Sequence, residues 1–127
     1  MKLYGNMSIK NNTLYIGGVS CTSLVKKYST PLYVFDEDLI RENCKRYKTY
    51  FKVEENNNKV AYAGKAFLTL YMCNIIKEEN LYLDVVSGGE LFTAYKANFP
   101  MEKVLFHGNN KTIDEIKMGI DLKVGLL

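Results

Sequence analysis

This sequence predicts an α/β fold with parallel strands, and three observations carry the prediction. Short apolar runs alternate with longer stretches whose apolar residues recur at helical spacing. The alternation repeats roughly every 20–25 residues, enough for one strand, one helix and their connections. The least ordinary polar side chains, Lys65, Asp84, Ser87 and His107, fall where successive strands end. That rim is where parallel α/β folds gather their chemistry.

Each element has its own reason. "LYGNMSIK" and "TLYIGG" read as extended segments flanking Asn11-Asn12, and Asn tolerates the positive φ of a tight hairpin. "VSCTSLVKKYS" reads as a short helix with Ser or Thr near its start, ended before Pro31. "PLYVF" at 31–35 is a strand candidate, and Asp36 fits the N-cap of the helix that follows. On that helix Ile40, Cys44, Tyr47 and Phe51 share one face. Arg41, Lys45, Arg46, Lys48 and Lys52 make a solvated face. "EENNN" is a polar loop and "KVAYA" the next strand. Leu68, Tyr71, Met72, Ile75 and Ile76 form a helical stripe, and "LYLDVV" is a strand. "GELFTAYKANF" is a helix with Phe92, Tyr95 and Phe99 on one side, broken by Pro100. "KVLFH" is a strand, "TIDEIKMGI" a helix with Ile113, Ile116 and Ile120 aligned, and "LKVGLL" starts another strand. The Met and aromatic stripes are expected to be core.

The count is four βα units and the start of a fifth strand. A closed (β/α)8 barrel needs about 250 residues, so the reading is a partial TIM-type barrel; a small open sheet has the same order. "VGLL" would leave a bare apolar edge, so the sequence is expected to belong to a longer chain. The hairpin stands outside the rhythm and is assigned to another layer. The expected division is 1–24 for that β segment and 25–127 for the incomplete barrel.

Composition bounds the function. With 127 residues, 47% of them hydrophobic, the chain can build one core. A net charge of +3, spread along the sequence, argues against a nucleic-acid surface. Cys21, Cys44 and Cys73 are widely spaced without a CxxC pair, which disfavours a zinc site or a disulfide framework. No signal peptide or run of about twenty apolar residues is visible, so a soluble cytoplasmic protein without membrane contact is expected.

Each rim residue has two readings. Lys65, among Ala63, Gly64 and Ala66, is either a solvated charge or an amine with a lowered pKa that forms Schiff bases. Asp84 either caps a turn or pairs with Lys65 on the neighbouring strand. Ser87-Gly88-Gly89 either cradles a phosphate at a helix start or makes a tight turn with a helix cap. His107, the single histidine, is either a satisfied structural group or a ligand contact. No Ser-His-Asp arrangement or metal cluster is visible.

"YAGKAF" resembles the lysine segment of the alanine-racemase-like barrel enzymes that use pyridoxal 5'-phosphate (PLP). "LDVVSGGEL" followed by "FHGNNKT" resembles the diaminopimelate decarboxylases in particular, and "TPLYVFDEDLIREN" resembles their lead-in to the barrel. The resemblance covers nearly all of this sequence but only the N-terminal third or so of such an enzyme. One departure is Phe67, where the family carries Asn.

The resemblance implies that Lys65 holds PLP covalently, with Asp84, Ser87 and His107 as cofactor neighbours. It implies decarboxylation of meso-2,6-diaminopimelate to L-lysine and CO2, the last step of lysine biosynthesis, by a homodimer. It also implies that the N-terminal hairpin joins a C-terminal β-sandwich domain. The family's phosphate-binding Gly-rich loops, the acidic partner of the pyridine nitrogen, the ring-stacking histidine and the cysteine donated across the dimer lie beyond this sequence. The 127-residue chain alone is therefore expected to be inactive. The alternatives are another barrel PLP enzyme, such as a carboxynorspermidine decarboxylase or an amino-acid racemase, and a non-catalytic truncated relative that binds a partner.

Overall fold

The computed structural model describes residues 2–51 and 58–127. Lys52 and all of the expected "EENNN" loop except Asn58 lie outside the described residues. Two compact units emerge, Met1–Asn43 and Cys44–Leu127.

The first unit holds a three-stranded antiparallel sheet: β1 (Ser8–Lys10), β2 (Thr13–Ile16) and β3 (Val19–Ser20). Asn11 and Asn12 have φ of 48° and 57°, so the expected hairpin forms with a tight turn suited to strand twist. Gly17-Gly18, with φ of 54° and 79°, repeats the device and adds β3, where the sequence reading had a helix start. Helix α1 (Cys21–Tyr28) begins directly after β3, where the Ser20 hydroxyl accepts the Ser23 N–H at 3.1 Å.

The expected strand at 31–35 is a correction. Residues 32–36 carry no regular structure, and Leu32, Tyr33, Val34 and Phe35 are all exposed. Apolar content alone does not make a strand: residues 31–35 join neither sheet, and Pro31 has no N–H to donate. Asp36 caps α2 (Glu37–Tyr50) as expected, its Oδ1 accepting the Leu39 N–H at 3.1 Å.

The second unit carries the parallel sheet, in the order β4 (Ala61–Ala63), β5 (Tyr82–Val85), β6 (Val104–Phe106). A single parallel bridge, Leu105 to Leu126, begins a fourth strand. Helices α3 (Leu70–Glu78), α4 (Gly88–Lys96) and α5 (Ile113–Asp121) follow the three strands. The expected four complete βα units are thus three among the described residues. Residues 31–35, the strand of the missing unit, form no ladder.

The sheet's two faces differ. Leu83, Val85, Val104 and Phe106 are fully buried on one face, within a core that includes Met72, Ile75, Ile76, Leu91, Ala94 and Phe99. On the other face Ala63, Asp84, Leu105 and Leu126 stand in one row across the sheet, each partnered with the next. Cys73 is buried, and burial pushes its thiol up to about 11.

The helix stripes are only partly core. Met72, Ile75 and Ile76 of α3 are buried, but Tyr47, Phe51, Tyr71, Phe92 and Tyr95 are exposed. In α5 the expected Ile113–Ile116–Ile120 stripe is exposed, and the inward face is Glu115, Met118, Gly119 and Leu122. The reason is close approach: a Cβ at Gly119 would come within 3.2 Å of the Phe106 ring. The helix meets the sheet where a side chain is missing.

Two outcomes follow from these faces. Leu83→Ala should lower the unfolding free energy by about 2–5 kcal/mol, and Leu105→Ala on the half-open face by clearly less, as read by urea denaturation. Cys73 should resist alkylation near pH 8 while partly exposed Cys21 reacts, as read by peptide mass mapping.

Candidate active site

Lys65 sits on a single 3-10 turn (Gly64–Ala66) at the C-terminal end of β4, and its side chain is exposed. Two contacts shape that turn. A Cβ at Gly64 would lie 3.0 Å from the Asp84 carbonyl, so glycine lets the turn lean on β5. The Tyr62 hydroxyl donates to the Phe67 carbonyl at 2.7 Å and closes the turn from outside. Burial, then the neighbouring Cys44 and Cys73, raises the Tyr62 pKa, so the phenol stays protonated to donate. The family departure at Phe67 leaves this bond intact, because it uses the backbone.

Asp84 is the third residue of β5, and its alternation with buried Leu83 and Val85 turns it to the half-open face. Its Oδ2 lies 3.9 Å from His107 Nδ1, close but too long for a hydrogen bond. No ion pair joins Asp84 to Lys65 among the described residues; of its two readings the pairing with Lys65 is not formed, and Asp84 faces His107. His107 follows β6 directly, and its N–H donates to the Val85 carbonyl at 2.8 Å, extending the ladder by one bond. Its side chain is largely exposed.

Ser87 is the N-cap of α4 in a complete capping box. Its hydroxyl accepts the Glu90 N–H at 3.3 Å, while Glu90 Oε2 accepts the Val86 N–H at 2.7 Å, the Ser87 N–H at 3.0 Å and the Ser87 hydroxyl at 3.2 Å. The helix cap, one of its two sequence readings, is formed. The cap leaves one lone pair on the Ser87 oxygen.

Lys65, Asp84, Ser87 and His107 thus all lie at the C-terminal ends of three adjacent parallel strands. An open concavity of about 550 Å3 covers the half-open face; Asp84 and His107 line it with Ala61, Leu105, Gly108 and Lys111, while Lys65 and Ser87 are not among its lining residues. Lys111 lies over the Phe106 ring and donates to the Gly108 carbonyl. Gly108 has φ of 112°, a conformation that suits glycine, and it turns the chain away from β6. Among the described residues no group of three or more His, Cys, Asp or Glu is placed to hold a metal. No helix among them is long and apolar enough to cross a membrane.

The sequence reading missed two carboxylates. Glu90 and Glu115 both close capping boxes, and the signals were present as S-x-x-E and T-x-x-E. Glu115 goes further: Oε2 accepts the Thr112 N–H at 2.9 Å and the Thr112 hydroxyl at 3.1 Å, and Oε1 accepts the Gly88 N–H at 2.7 Å. These bonds, the Thr112 N–H foremost, hold its carboxyl below the usual 4.5.

Comparison with known proteins agrees with this arrangement. A family model described as "Pyridoxal-dependent decarboxylase, pyridoxal binding domain" matches residues 37–127. The diaminopimelate decarboxylase of Bacillus subtilis is 49% identical over 114 residues, 90% of this chain and 26% of that protein. That of Staphylococcus aureus is 40% identical over 116 residues, 91% of this chain and 28% of that protein. A crystal structure of diaminopimelate decarboxylase from M. jannaschii in complex with L-lysine matches with a TM-score of 0.86 and 39% identity, over 93% of this chain and 28% of that one. The chain spans about a quarter of the length of the relatives it matches.

Glu115 yields a pH-dependent prediction. A lowered native pKa means its stabilisation is fully present above the unfolded value of 4.5 and fades as pH falls through the lower native value. The urea midpoint of Glu115→Gln should lie below wild type at about pH 6, with the gap closing in acid below the native pKa.

Proposed function

The chain belongs to the pyridoxal-dependent decarboxylase family, and from that premise we propose that the natural-length protein decarboxylates meso-2,6-diaminopimelate to L-lysine and CO2. The observation that carries the proposal is Lys65, a primary amine on the turn after β4, at the same strand-end rim as Asp84 and His107, which line an open concavity. The relatives that match most of this chain are named diaminopimelate decarboxylases, which supports that substrate over other amino acids.

The residues present fit PLP. Small neighbours at Ala63, Gly64 and Ala66 leave space beside the amine, and the donor set is an amine, a carboxylate, a hydroxyl and an imidazole. Lys65 would hold the cofactor through its amine, and its exposed side chain is free to swing aside for a substrate amine. Bound PLP supplies an electron sink for the pair left behind as the substrate carboxylate departs as CO2. Asp84 would hold charge balance opposite the amine, and His107 would form a polar wall. Ser87 would sit near the cofactor and keep the start of α4 in place.

The same reading makes residues 25–127 the first part of a PLP-binding barrel and residues 1–24 part of a β-sandwich domain. It makes the natural-length protein a cytoplasmic homodimer. The chain of 127 residues would supply the lysine but not the whole pocket.

Borohydride reduction of natural-length protein with PLP should fix the cofactor to a single peptide containing Lys65, as found by mass spectrometry. Lys65→Ala should abolish both the labelled peptide and CO2 release from meso-diaminopimelate. Labelling elsewhere, or release of CO2 by Lys65→Ala at the wild-type rate, would sink the assignment.

A further inference from the structure

The segments that follow β5 and β6 are joined by one carboxylate. A capping box needs a single oxygen of its Glu, and the second oxygen usually faces water. In Glu115 the second oxygen instead accepts the first amide of α4, Gly88 N–H, across 27 residues of sequence at 2.7 Å. Position 88 independently points to the same contact. A Cβ there would lie 3.0 Å from Glu115 Cγ and 3.2 Å from Oε1, so the carboxylate has its seat because residue 88 carries no side chain. The backbone does not demand glycine for its own sake, since Gly88 is absent from the positive-φ residues.

The consequence is geometric. The β5–β6 ladder fixes where the two segments start, with the His107 N–H to Val85 carbonyl bond as its last rung. Beyond that rung the chain turns at Gly108, whose freedom would otherwise let the segment 108–112 drift. The Glu115 carboxylate ties its far end back to the loop carrying Ser87.

We propose that Glu115 is a positioning residue for the reaction assigned above: by tying segment 108–112 to the loop 86–88, it holds Ser87 in place against the strand ends that carry Asp84 and His107, on the rim that also carries Lys65. This rests on the reading of that rim as the pyridoxal site. Glu115 touches neither cofactor nor substrate; it acts through Gly88 and Thr112.

The test uses natural-length, 15N-labelled protein in four forms: wild type, Glu115→Gln, Gly88→Ala and the double variant. Gln keeps the size of Glu but has one acceptor oxygen, so it cannot satisfy both Gly88 and Thr112. In Glu115→Gln, amide hydrogen exchange at Gly88 should rise roughly tenfold, the scale of one lost charge-assisted bond, while the His107 amide keeps its wild-type rate. Loss of bound PLP on dilution should quicken by a similar factor, roughly tenfold. Gly88→Ala should show the same faster loss, and the double variant should be no worse than either single one.

Unchanged exchange at Gly88 overturns the clamp. Faster exchange with unchanged PLP loss overturns the positioning role, as does a double variant whose effects simply add. Equal acceleration at Gly88 and His107 marks general loosening and also overturns it. A wild-type protein that takes up no PLP overturns the pyridoxal reading instead, and the exchange rates then decide the clamp by themselves.

Discussion

Asp84 is partnered with Ala63 on one side and Leu105 on the other, and this double ladder through β5 is the constraint on which the rest of the second unit depends. Parallel pairing fixes every residue of β5 to one face or the other. A slip of one residue would carry Leu83 and Val85 out of the core and bury Asp84 unpaired among apolar side chains, which is costly. The register therefore keeps the carboxylate accessible because its neighbours are so strongly apolar. The same ladder brings the turn of Lys65 against the β5 backbone and places His107 one bond past the end of β6.

Much of the polar chemistry at this rim goes into the rim itself. Glu90 satisfies amides at the start of α4, and Glu115 satisfies those of both α5 and α4. Both helices leave N–H groups unpaired at their first turns, and carboxylates there answer both the missing acceptors and the helix dipole. The side chains left outward, Lys65 and His107, are those without such duties. A rim of this kind divides its labour: acidic residues one turn into the helices build the platform, and residues at the strand ends face whatever binds.

The alternation of strands and helices in the second unit was legible because each apolar run is short and each helix carries its own cap and break. The placement of the candidate residues at strand ends was legible for a related reason: residues expensive to bury, Lys65 and Asp84, stood at the ends of apolar runs. Three things were not legible. The run at 31–35 has strand composition, but a strand is a property of a pair, and the sequence does not name the partner. The α5 stripe misled because isoleucines outweigh a glycine in any apolar count, while packing is decided by close approach at Gly119. The Glu115–Gly88 bond joins residues far apart in sequence, and only the assembled ladder brings them together.

The bond from the Tyr62 hydroxyl to the Phe67 carbonyl bridges the turn that carries Lys65, with Gly64 pressed on β5 beneath it. Residues 63–66 are thus closed at both ends before any ligand arrives. Ordering a free backbone costs roughly 1–2 kcal/mol per residue at room temperature, and a loop that became ordered only on binding would subtract that from its affinity. Here the cost is met at folding by the core that holds the strand. What the turn leaves free to rotate is the exposed lysine side chain, so whatever meets its amine meets it through a search over a few torsions about a stationary Cα.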